Sequence, residues 1–408
     1  MSPIRPPAKL GRTTPAAVIL AAGPNGLGAA RSLARARIPT IAVAIDPAEP
    51  ILWSRLPAET LLIETDLATD DALMRSLESL GDARHVLLPT SDKFVSFVMR
   101  NEATLSQWFE VCVPPPRLGE ALIDKAAETK LIADIGLPLP KTLAPLPDDP
   151  RDLVDALGLP ILVKPTSFRA NHVIGKNRLL QSDAHVASLY EDTHGQRAHF
   201  LAQEVIPGPD DHLWVCNCTF DAQSELVAAF TFRRLRLSPS HFGVTSYAIS
   251  ERNLEVVQLV RRLGRELRYV GPAMVEFKRD PRDGVYKYIE LNPRLGMCNA
   301  FDSACGVNNA LAAFHVARGE APPARAMGSQ REGVIYASLF DDVYHRLKDG
   351  ERAADVLRDY VAGARRPHVF AYFAWRDPAP GLVMGYRNAR SLSRSVALRA
   401  GGSPSNPP

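Results

Sequence analysis

Two short runs in the last third of the sequence carry acidic side chains in a pattern that could bind a cation. The runs Ala273–Lys278 and Tyr286–Asn292 flank Asp280–Gly284, whose Pro and Asp-Gly residues predict a tight turn and a β-hairpin. Because side chains alternate between the faces of a strand, pairing symmetrically about the turn puts Glu276 opposite Glu290. Opposed carboxylates repel each other, so we expect a positive group between them.

An amide oxygen completes this acidic set. Asn292 falls on the same face as Glu290, and two carboxylates with an amide oxygen suit Mg²⁺, whose remaining ligands could be phosphate oxygens. The sequence therefore predicts a metal site at Glu276, Glu290 and Asn292, and Arg294 could hold an anion beside it. A hairpin whose charges only face water is the alternative interpretation.

A lysine within an apolar strand indicates a second charged site. Pro160–Pro165 reads as a short buried strand whose one charged residue is Lys164. A lysine is rarely buried without a partner, so this residue predicts contact with an anion. A lysine at a sheet edge, with its ammonium group extending to water, is the alternative.

A third chemical feature follows the strand at Phe200–Glu204. The strand meets a Pro-Gly turn, and Asp210 and Asp211 come directly after it. A carboxylate there could accept hydrogen bonds from vicinal hydroxyl groups. An ordinary turn with an acidic tip is the alternative.

Three arginines lie close together further along the chain, at Arg233, Arg234 and Arg236. Guanidinium groups bind phosphate or carboxylate in a bidentate manner, so this cluster is a candidate for holding a charged substrate. A sheet edge protected by charge explains the same residues equally well.

The N-terminal part predicts a Rossmann-like unit. A strand at Ala16–Ala22 is followed by a glycine-rich turn at Gly23–Gly28, a helix at Ala29–Arg37 and a strand at Thr40–Ile45. A helix N-terminus after glycines can bind an anion. The glycine order is G-x-x-G-x-G, which differs from the dinucleotide pattern G-x-G-x-x-G, and close packing of strand and helix explains it as well as a ligand does.

Composition excludes several classes of protein. The chain has 408 residues and a net charge of +3, too small to predict nucleic-acid binding, and its apolar runs are too short to cross a membrane. Five cysteines without a Cys-x-x-Cys pair fit a reducing compartment, so we expect a cytoplasmic protein.

Together these motifs, in this order, resemble the ATP-grasp superfamily over residues 15–320. The elements that carry the resemblance are Asp124-Lys125 before a Gly-Leu-Pro stop, Val163-Lys164-Pro165, Gln203–Gly208, Val275-Glu276 and Glu290–Arg294. Within the superfamily the sequence is similar to the carboxylate–amine ligase branch typified by D-aspartate ligase, with carbamoyl-phosphate synthase as a more distant relative.

The resemblance implies a role for each residue. Lys125, which we predict on one helix spanning Leu118–Leu137, and Lys164 would neutralise the phosphates of ATP. Adenine would contact backbone N–H and C=O groups at Glu204 to Ile206, and Asp210 or Asp211 would contact the ribose hydroxyls. Arg294, with Lys164 and Arg234, would serve catalysis. The implied nucleotide-binding set is Lys125, Lys164, Gln203, Glu204, Val205, Ile206, Asp210 and Asp211, and the implied metal is Mg²⁺, with Mn²⁺ as an alternative, held by Glu276, Glu290 and Asn292.

The expected fold is α/β and α+β. A Rossmann-like domain at 15–116 precedes a two-lobed ATP-grasp domain at 117–320 with antiparallel sheets, its small lobe at about 140–205 and its large lobe at 206–320. A linker leads to a small C-terminal cap at 328–392, and 1–14 and 393–408 are expected to be flexible tails.

The implied function is an ATP-dependent ligase that joins a small carboxylate to an amine through an acyl phosphate, releasing ADP and phosphate. Its partners would be small molecules, with no nucleic acid and no membrane, and a homodimer stays open. Two alternatives remain: an oxidoreductase that binds a nucleotide at the N-terminal glycines, and a non-catalytic ATP-binding regulator.

Overall fold

The structure, a computed structural model, describes residues 15–63, 71–80, 83–167, 170–240, 243–388 and 390. The predicted tails at 1–14 and 393–408 lie outside these ranges. Among the described residues, no helix is long and apolar enough to cross a bilayer.

The N-terminal unit is a five-stranded parallel sheet in the order β3-β2-β1-β4-β5 with helices packed against it. Its predicted Rossmann-like form is confirmed, although the first helix begins at Gly23, within the glycine-rich turn, rather than at Ala29. The elements in chain order are β1 Ala17–Leu20, α1 Gly23–Arg35, β2 Thr40–Ala44, β3 Glu59–Leu62, α2 Asp71–Glu78, β4 Val86–Pro89, α3 Asp92–Arg100, α4 Glu102–Leu105 and β5 Glu110–Val111.

A smaller antiparallel sheet follows, with strand order β6-β9-β7-β8. The helix predicted over Leu118–Leu137 is in fact two helices, because Asp124 caps the second one by accepting hydrogen bonds from Ala126 N–H and Ala127 N–H. The elements are α5 Pro116–Ile123, α6 Lys125–Asp134, β6 Thr142–Leu143, α7 Pro150–Leu157, β7 Ile161–Pro165, α8 Asn171–Ile174, β8 Arg178–Leu180, α9 Asp183–Asp192 and β9 Phe200–Glu204.

The largest sheet has seven strands in the order β14-β13-β10-β11-β12-β15-β16. Its last two strands come from the segment predicted as a separate cap, and they extend the edge of this sheet through pairing with β12. The elements are β10 Leu213–Phe220, β11 Leu226–Ser238, β12 Val244–Ser250, α10 Leu254–Leu267, β13 Gly271–Arg279, β14 Tyr286–Asn292, α11 Asn299–Ala304, α12 Asn309–Ala317, β15 Ile335–Ala337, α13 Leu339–Lys348, α14 Ala353–Gly363 and β16 His368–Phe370.

Alternation along β10 divides the core of the large lobe into two layers. Every second residue from Trp214 to Phe220 packs with the apolar face of α10, while Val215 on the other face packs with α11 and α12. Gly264 allows α10 to approach closely, because a Cβ there would lie 2.0 Å from the Phe220 ring. The sheet is thus held rigidly between helices, and β13 and β14 are fixed at one edge of it.

Candidate active site

The β13–β14 hairpin pairs as its turn residues predict. Glu276 lies opposite Glu290 and Met274 opposite Asn292, with an irregularity after Glu276 that shifts the pairing toward the turn. Directly opposed residues in an antiparallel pair project from the same face. The three predicted metal ligands therefore share one side of the sheet.

Each of these three side chains contacts a cationic group of the chain. Arg234 binds both carboxylate oxygens of Glu276, one of them at 2.8 Å. Lys125 Nζ lies 3.2 Å from Glu290 Oε1. Within the described ranges, no group of three or more His, Cys, Asp or Glu side chains is arranged to hold a metal ion. The predicted set contains only two such residues, and its carboxylate and amide oxygens have the chemistry that Mg²⁺ takes.

The third predicted ligand lies where the β13–β14 hairpin contacts the N-terminal unit. The Asn292 side-chain oxygen accepts a hydrogen bond from Arg294 at 2.8 Å, and Arg294 Nε donates to Asp92 at 2.7 Å. Asp92 is the first residue of α3, at the carboxyl end of β4. Open α/β sheets bind ligands at this end of their strands. Arg294 thus joins the acidic hairpin to the carboxyl end of β4 in the N-terminal sheet.

Lysines from two other elements converge on Glu290. Lys125 begins α6, and its pKa is raised chiefly by the Glu290 carboxylate. The pKa of Glu290 is lowered by Lys125 first and also by Lys164 and Lys176. The structure therefore brings together the two predicted phosphate-binding lysines and the predicted metal ligand from three distant parts of the sequence.

Lys164 is held in a defined position on β7. Its Nζ donates to Gln203 Oε1 at 3.1 Å, and the Gln203 amide nitrogen donates to the Thr142 hydroxyl at 3.1 Å. Burial, followed by the neighbouring charge of Lys125, lowers the pKa of Lys164 to about 8. Among the described residues no carboxylate contacts the Lys164 ammonium group, which is therefore prepared to receive an anion.

Some backbone groups at the end of β9 and just after it are hydrogen-bonded within the protein, whereas others are not. Glu204 N–H donates to the Lys141 carbonyl at 2.9 Å, and the Ile206 carbonyl accepts from Lys278 Nζ at 2.9 Å. Within the described residues, neither Val205 N–H nor Ile206 N–H donates to another backbone group. Of the predicted adenine-contacting set, these two groups and not the Glu204 N–H are the donors that the structure leaves to a ligand.

An ion-pair network that the sequence did not predict fixes the hairpin tip to this segment. Arg282 Nη1 lies 3.0 Å from Glu204 Oε2, and Lys287 Nζ lies 2.6 Å from the buried Asp280 and 3.6 Å from Glu204. The pKa of Asp280 is lowered by its hydrogen bonds to Arg282 and Lys287. Ion pairs therefore connect the end of strand β9 to the acidic hairpin.

The two candidate ribose ligands differ in their surroundings. Asp211 Oδ2 lies 3.3 Å from Arg233, while its Oδ1 is buried without a protein partner among the described residues. Asp210 raises the pKa of Lys278, although burial lowers that pKa overall. Both residues belong to a short 3₁₀ helix at Asp210–His212 beside β11.

The three arginines of the cluster contact different partners in the structure. Arg234 is buried against Glu276, Arg233 binds Asp211 and Glu251, and Arg236 binds Asp342 of α13. Alternation separates Arg233 from Arg234, because neighbouring residues project from opposite faces of the sheet. A register shift between Arg234 and Arg236 then separates those two residues, since Arg234 pairs with Ala248 and Arg236 with Tyr247 on β12. Only Arg234 joins the acidic hairpin.

Glu128 is a further residue of the site that the sequence did not predict. It lies one turn after Lys125 on α6, is 4% exposed, and accepts hydrogen bonds from the Tyr288 hydroxyl and, at 2.7 Å, from Leu291 N–H. Burial, and then the Glu290 carboxylate, raise its pKa to about 8. Glu128 therefore ties α6 to the segment of β14 between Glu290 and Asn292. Its only sequence signal is an acidic residue one turn from a candidate lysine.

The N-terminal glycine turn is occupied by the chain itself. Gly23 N–H donates to the Glu49 carboxylate at 2.7 Å, so the start of α1 already has an anionic partner. A Cβ at Gly26 would lie 2.8 Å from the Ala21 backbone, and one at Gly28 would meet Asn299 at 2.8 Å. Of the two interpretations of these glycines, the structure favours close packing.

Solved structures share this fold over most of the chain. N5-carboxyaminoimidazole synthetase from Staphylococcus aureus superposes with a TM-score of 0.63 at 12% identity, covering 83% of this chain and 86% of that one. The biotin carboxylase domain of Hydrogenobacter thermophilus 2-oxoglutarate carboxylase, solved with MgADP, ADP and bicarbonate, gives 0.60 at 16% identity, covering 76% and 70%. The chain therefore has the ATP-grasp fold that its motifs predict.

A curated relative resembles the sequence directly. D-aspartate ligase from Enterococcus faecium (strain Aus0004) is 24% identical over 240 residues, which cover 55% of this chain and 56% of the relative. The match thus spans little more than half of that protein's length. No family model matches the chain. The predicted resemblance to ATP-grasp ligases of the D-aspartate ligase type is confirmed.

Proposed function

We propose that this protein is an ATP-dependent ligase that joins a small carboxylate to an amine. The observation that carries the proposal is the convergence of Lys125 and Lys164 on Glu290, opposite Glu276, on one face of the β13–β14 hairpin. Such a cluster of both signs suits a nucleotide triphosphate with a divalent cation, because phosphates pair with the lysines and the cation pairs with the carboxylates. The resemblance to D-aspartate ligase supports the same reaction class.

The reaction has two balanced steps. A carboxylate oxygen of the first substrate attacks the γ-phosphorus of ATP, the bond to the β-phosphate oxygen breaks, and ADP leaves with that electron pair. The amine nitrogen of the second substrate then attacks the acyl carbon, and inorganic phosphate leaves as the amine gives up a proton. Phosphoryl transfer needs mainly alignment and charge neutralisation from the protein.

The chain's own residues divide these tasks. Glu276, Glu290 and Asn292 would hold Mg²⁺, or Mn²⁺ in its place, which supplies charge neutralisation at the phosphate oxygens. Lys125 and Lys164 pair with phosphate, and Val205 and Ile206 offer N–H groups to the base. These assignments rest on the positions of the side chains described above.

Further groups would orient the sugar and the substrate carboxylate. Asp210 or Asp211 accepts hydrogen bonds from ribose hydroxyls. Arg294, at the junction with Asp92, steadies the substrate carboxylate or the acyl phosphate. Arg234 acts by fixing Glu276. Small molecules are thus the proposed partners, while a homodimer, a cytoplasmic location and the four-part division of the chain stay predictions.

The decisive test measures phosphate release from ATP with Mg²⁺ over a panel of amino acids, with and without amines, and identifies products by mass spectrometry. Phosphate release that depends on both a carboxylate and an amine is expected. Glu290→Gln should lower turnover at least 100-fold, whereas Glu255→Gln, on the exposed face of α10, should not change it.

Two outcomes would overturn the proposal. ATP binding without turnover across the whole panel would favour a regulator, and thermal stabilisation by a nicotinamide dinucleotide but not by MgATP would favour an oxidoreductase. Undiminished turnover in Glu290→Gln would contradict the metal assignment alone.

A further inference from the structure

The C-terminal part of the described chain exposes large apolar side chains close to one another. Trp375 is 89% exposed, Tyr386 67% and Leu382 65%. Trp375 packs edge-on against Phe373, with ring centroids 5.1 Å apart. Leu382 and Tyr386 lie one turn apart on the helix at 379–388, so they point in the same direction. We call Phe373, Trp375, Leu382 and Tyr386 the C-terminal apolar face.

A cavity makes this face continuous with the sheet edge. Its volume is about 170 Å³, and Phe373 and Leu382 line it together with Leu339, Phe340 and Phe370. Exposed aromatic and aliphatic groups beside an apolar cavity mark an interaction surface rather than scattered surface residues.

The same segment is strongly basic. Between residues 360 and 390 the sequence has five arginines and one acidic residue, a net charge of +4, whereas the whole chain has +3. The acidic residue, Asp377, is 2% exposed and lies 3.4 Å from Arg31, so it does not offset the exposed arginines. Arg365, Arg366 and Arg376 are exposed.

Three of the four acidic side chains on the adjacent helices α13 and α14 are paired with arginines, and the fourth, Asp341, accepts a hydrogen bond from the Ser338 hydroxyl. These pairs are Asp342 with Arg236, Asp359 with Arg346, and Asp355 with Arg358. The field around the C-terminal apolar face is therefore positive, and a partner for it must be negatively charged as well as apolar.

We propose that the C-terminal apolar face and its arginines bind peripherally to an anionic lipid surface. Trp and Tyr prefer the interface between headgroups and acyl chains, where an apolar ring body and a polar edge are both satisfied. Arginines next to them add attraction to acidic headgroups of about 1 kcal/mol each, close to fivefold in affinity. A helix that offers Leu382 and Tyr386 outward suits shallow insertion parallel to the surface. This inference does not depend on the proposed ligase activity.

Vesicle sedimentation with the full chain tests the proposal. Binding to vesicles with 30% phosphatidylglycerol in phosphatidylcholine is expected at 0.1 M salt, with at least tenfold weaker binding to pure phosphatidylcholine and a clear loss at 0.5 M salt. Replacing both Trp375 and Leu382 by Ser should weaken binding at least tenfold, and Arg376→Gln about fivefold.

Leu254→Ser is the matched control, because Leu254 is 58% exposed on α10, away from this segment. It should bind vesicles like the wild type, and circular dichroism should show that every variant is folded. Equal binding to neutral and anionic vesicles, or full binding by the Trp375/Leu382 variant, would overturn the proposal. So would a chain that ignores vesicles but forms a dimer that this variant abolishes, because the face would then be a protein interface.

Discussion

Replacing Glu128 by glutamine tests whether the buried carboxyl group that supports β14 keeps a proton near neutral pH. The carboxyl accepts hydrogen bonds from the Tyr288 hydroxyl and the Leu291 N–H and is almost completely buried. Burial, with the charge of Glu290, raises its pKa from 4.5 to about 8. Glutamine is neutral at every pH and retains an acceptor oxygen in the same place.

The expected magnitude follows from the linkage of proton binding to folding. Below pH 4.5 the carboxyl is protonated in both states, and its contribution to stability is complete. As pH rises from 4.5 to about 8, the unfolded chain releases the proton and the folded protein keeps it, so the free energy of unfolding falls by about 1.4 kcal/mol per pH unit. The loss levels off above about pH 8, at a total on the order of 5 kcal/mol.

Urea unfolding at pH 5.5, 7 and 8, without nucleotide or metal, measures this effect. The free energy of unfolding of Glu128→Gln relative to the wild type should rise by about 3 kcal/mol between pH 5.5 and 8. Comparison of the two proteins removes the pH dependence of all other groups, and Glu255→Gln should show no such trend. A difference that is constant with pH would mean that Glu128 is ionised throughout, and the reasoning would be refuted.

Three more expectations concern the charged groups of the site. Because Lys164 has a pKa of about 8, the ATP affinity measured by calorimetry should fall by about tenfold per pH unit above that pH. Lys164→Met should lose this pH dependence, and the same slope in the variant would contradict the assignment of Lys164 to phosphate binding. Arg234→Met should lower the free energy of unfolding by about 3–5 kcal/mol because it leaves Glu276 buried and unpaired. Adding Glu276→Leu should restore most of the lost stability, and no recovery in the double variant would argue against the ion pair as the cause. Asp92→Asn should change the free energy of unfolding by less than about 1 kcal/mol, since Asp92 is half exposed. The same variant should raise the KM for the carboxylate substrate because it loosens Arg294, and an unchanged KM would mean that the Asp92–Arg294 pair has no part in substrate binding.

The hairpin could be predicted because its determinants are local. A Pro and an Asp-Gly within the turn, with alternating side chains on both sides, define the strands and place Glu276 opposite Glu290. Arg234 was predicted as a charged residue near ATP, but its pairing with Glu276 depends on strand order. β11 reaches β13 only across β10, and no local pattern carries that information.

The helical segment before the small lobe is two helices rather than the single helix that the sequence predicts. The sequence predicts one helix from Leu118 to Leu137, ended by Gly136 and the prolines that follow it. Asp124 instead ends α5 and caps α6, which turns the chain and makes Lys125 the first residue of the second helix. Lys125 N–H then donates to the Thr166 carbonyl at 2.9 Å, next to the strand that carries Lys164. Asp is a residue type that commonly caps helices, but only the tertiary contact selects a cap at Asp124 over helix continuation.

The charge balance of the site limits what it can bind. The oxygens of Glu276, Glu290 and Asn292 are each held by a cationic side chain, namely Arg234, Lys125 and Arg294. A divalent cation entering alone would compete with these groups and leave their positive charges without partners, at the largest cost for Arg234, which is buried. A metal–triphosphate complex would bring a partner for both signs, because its phosphates could pair with the lysines while its metal is held by the carboxylates. The same ion pairs that neutralise the cluster in the free protein therefore favour a metal nucleotide over either the bare ion or an unmetallated anion.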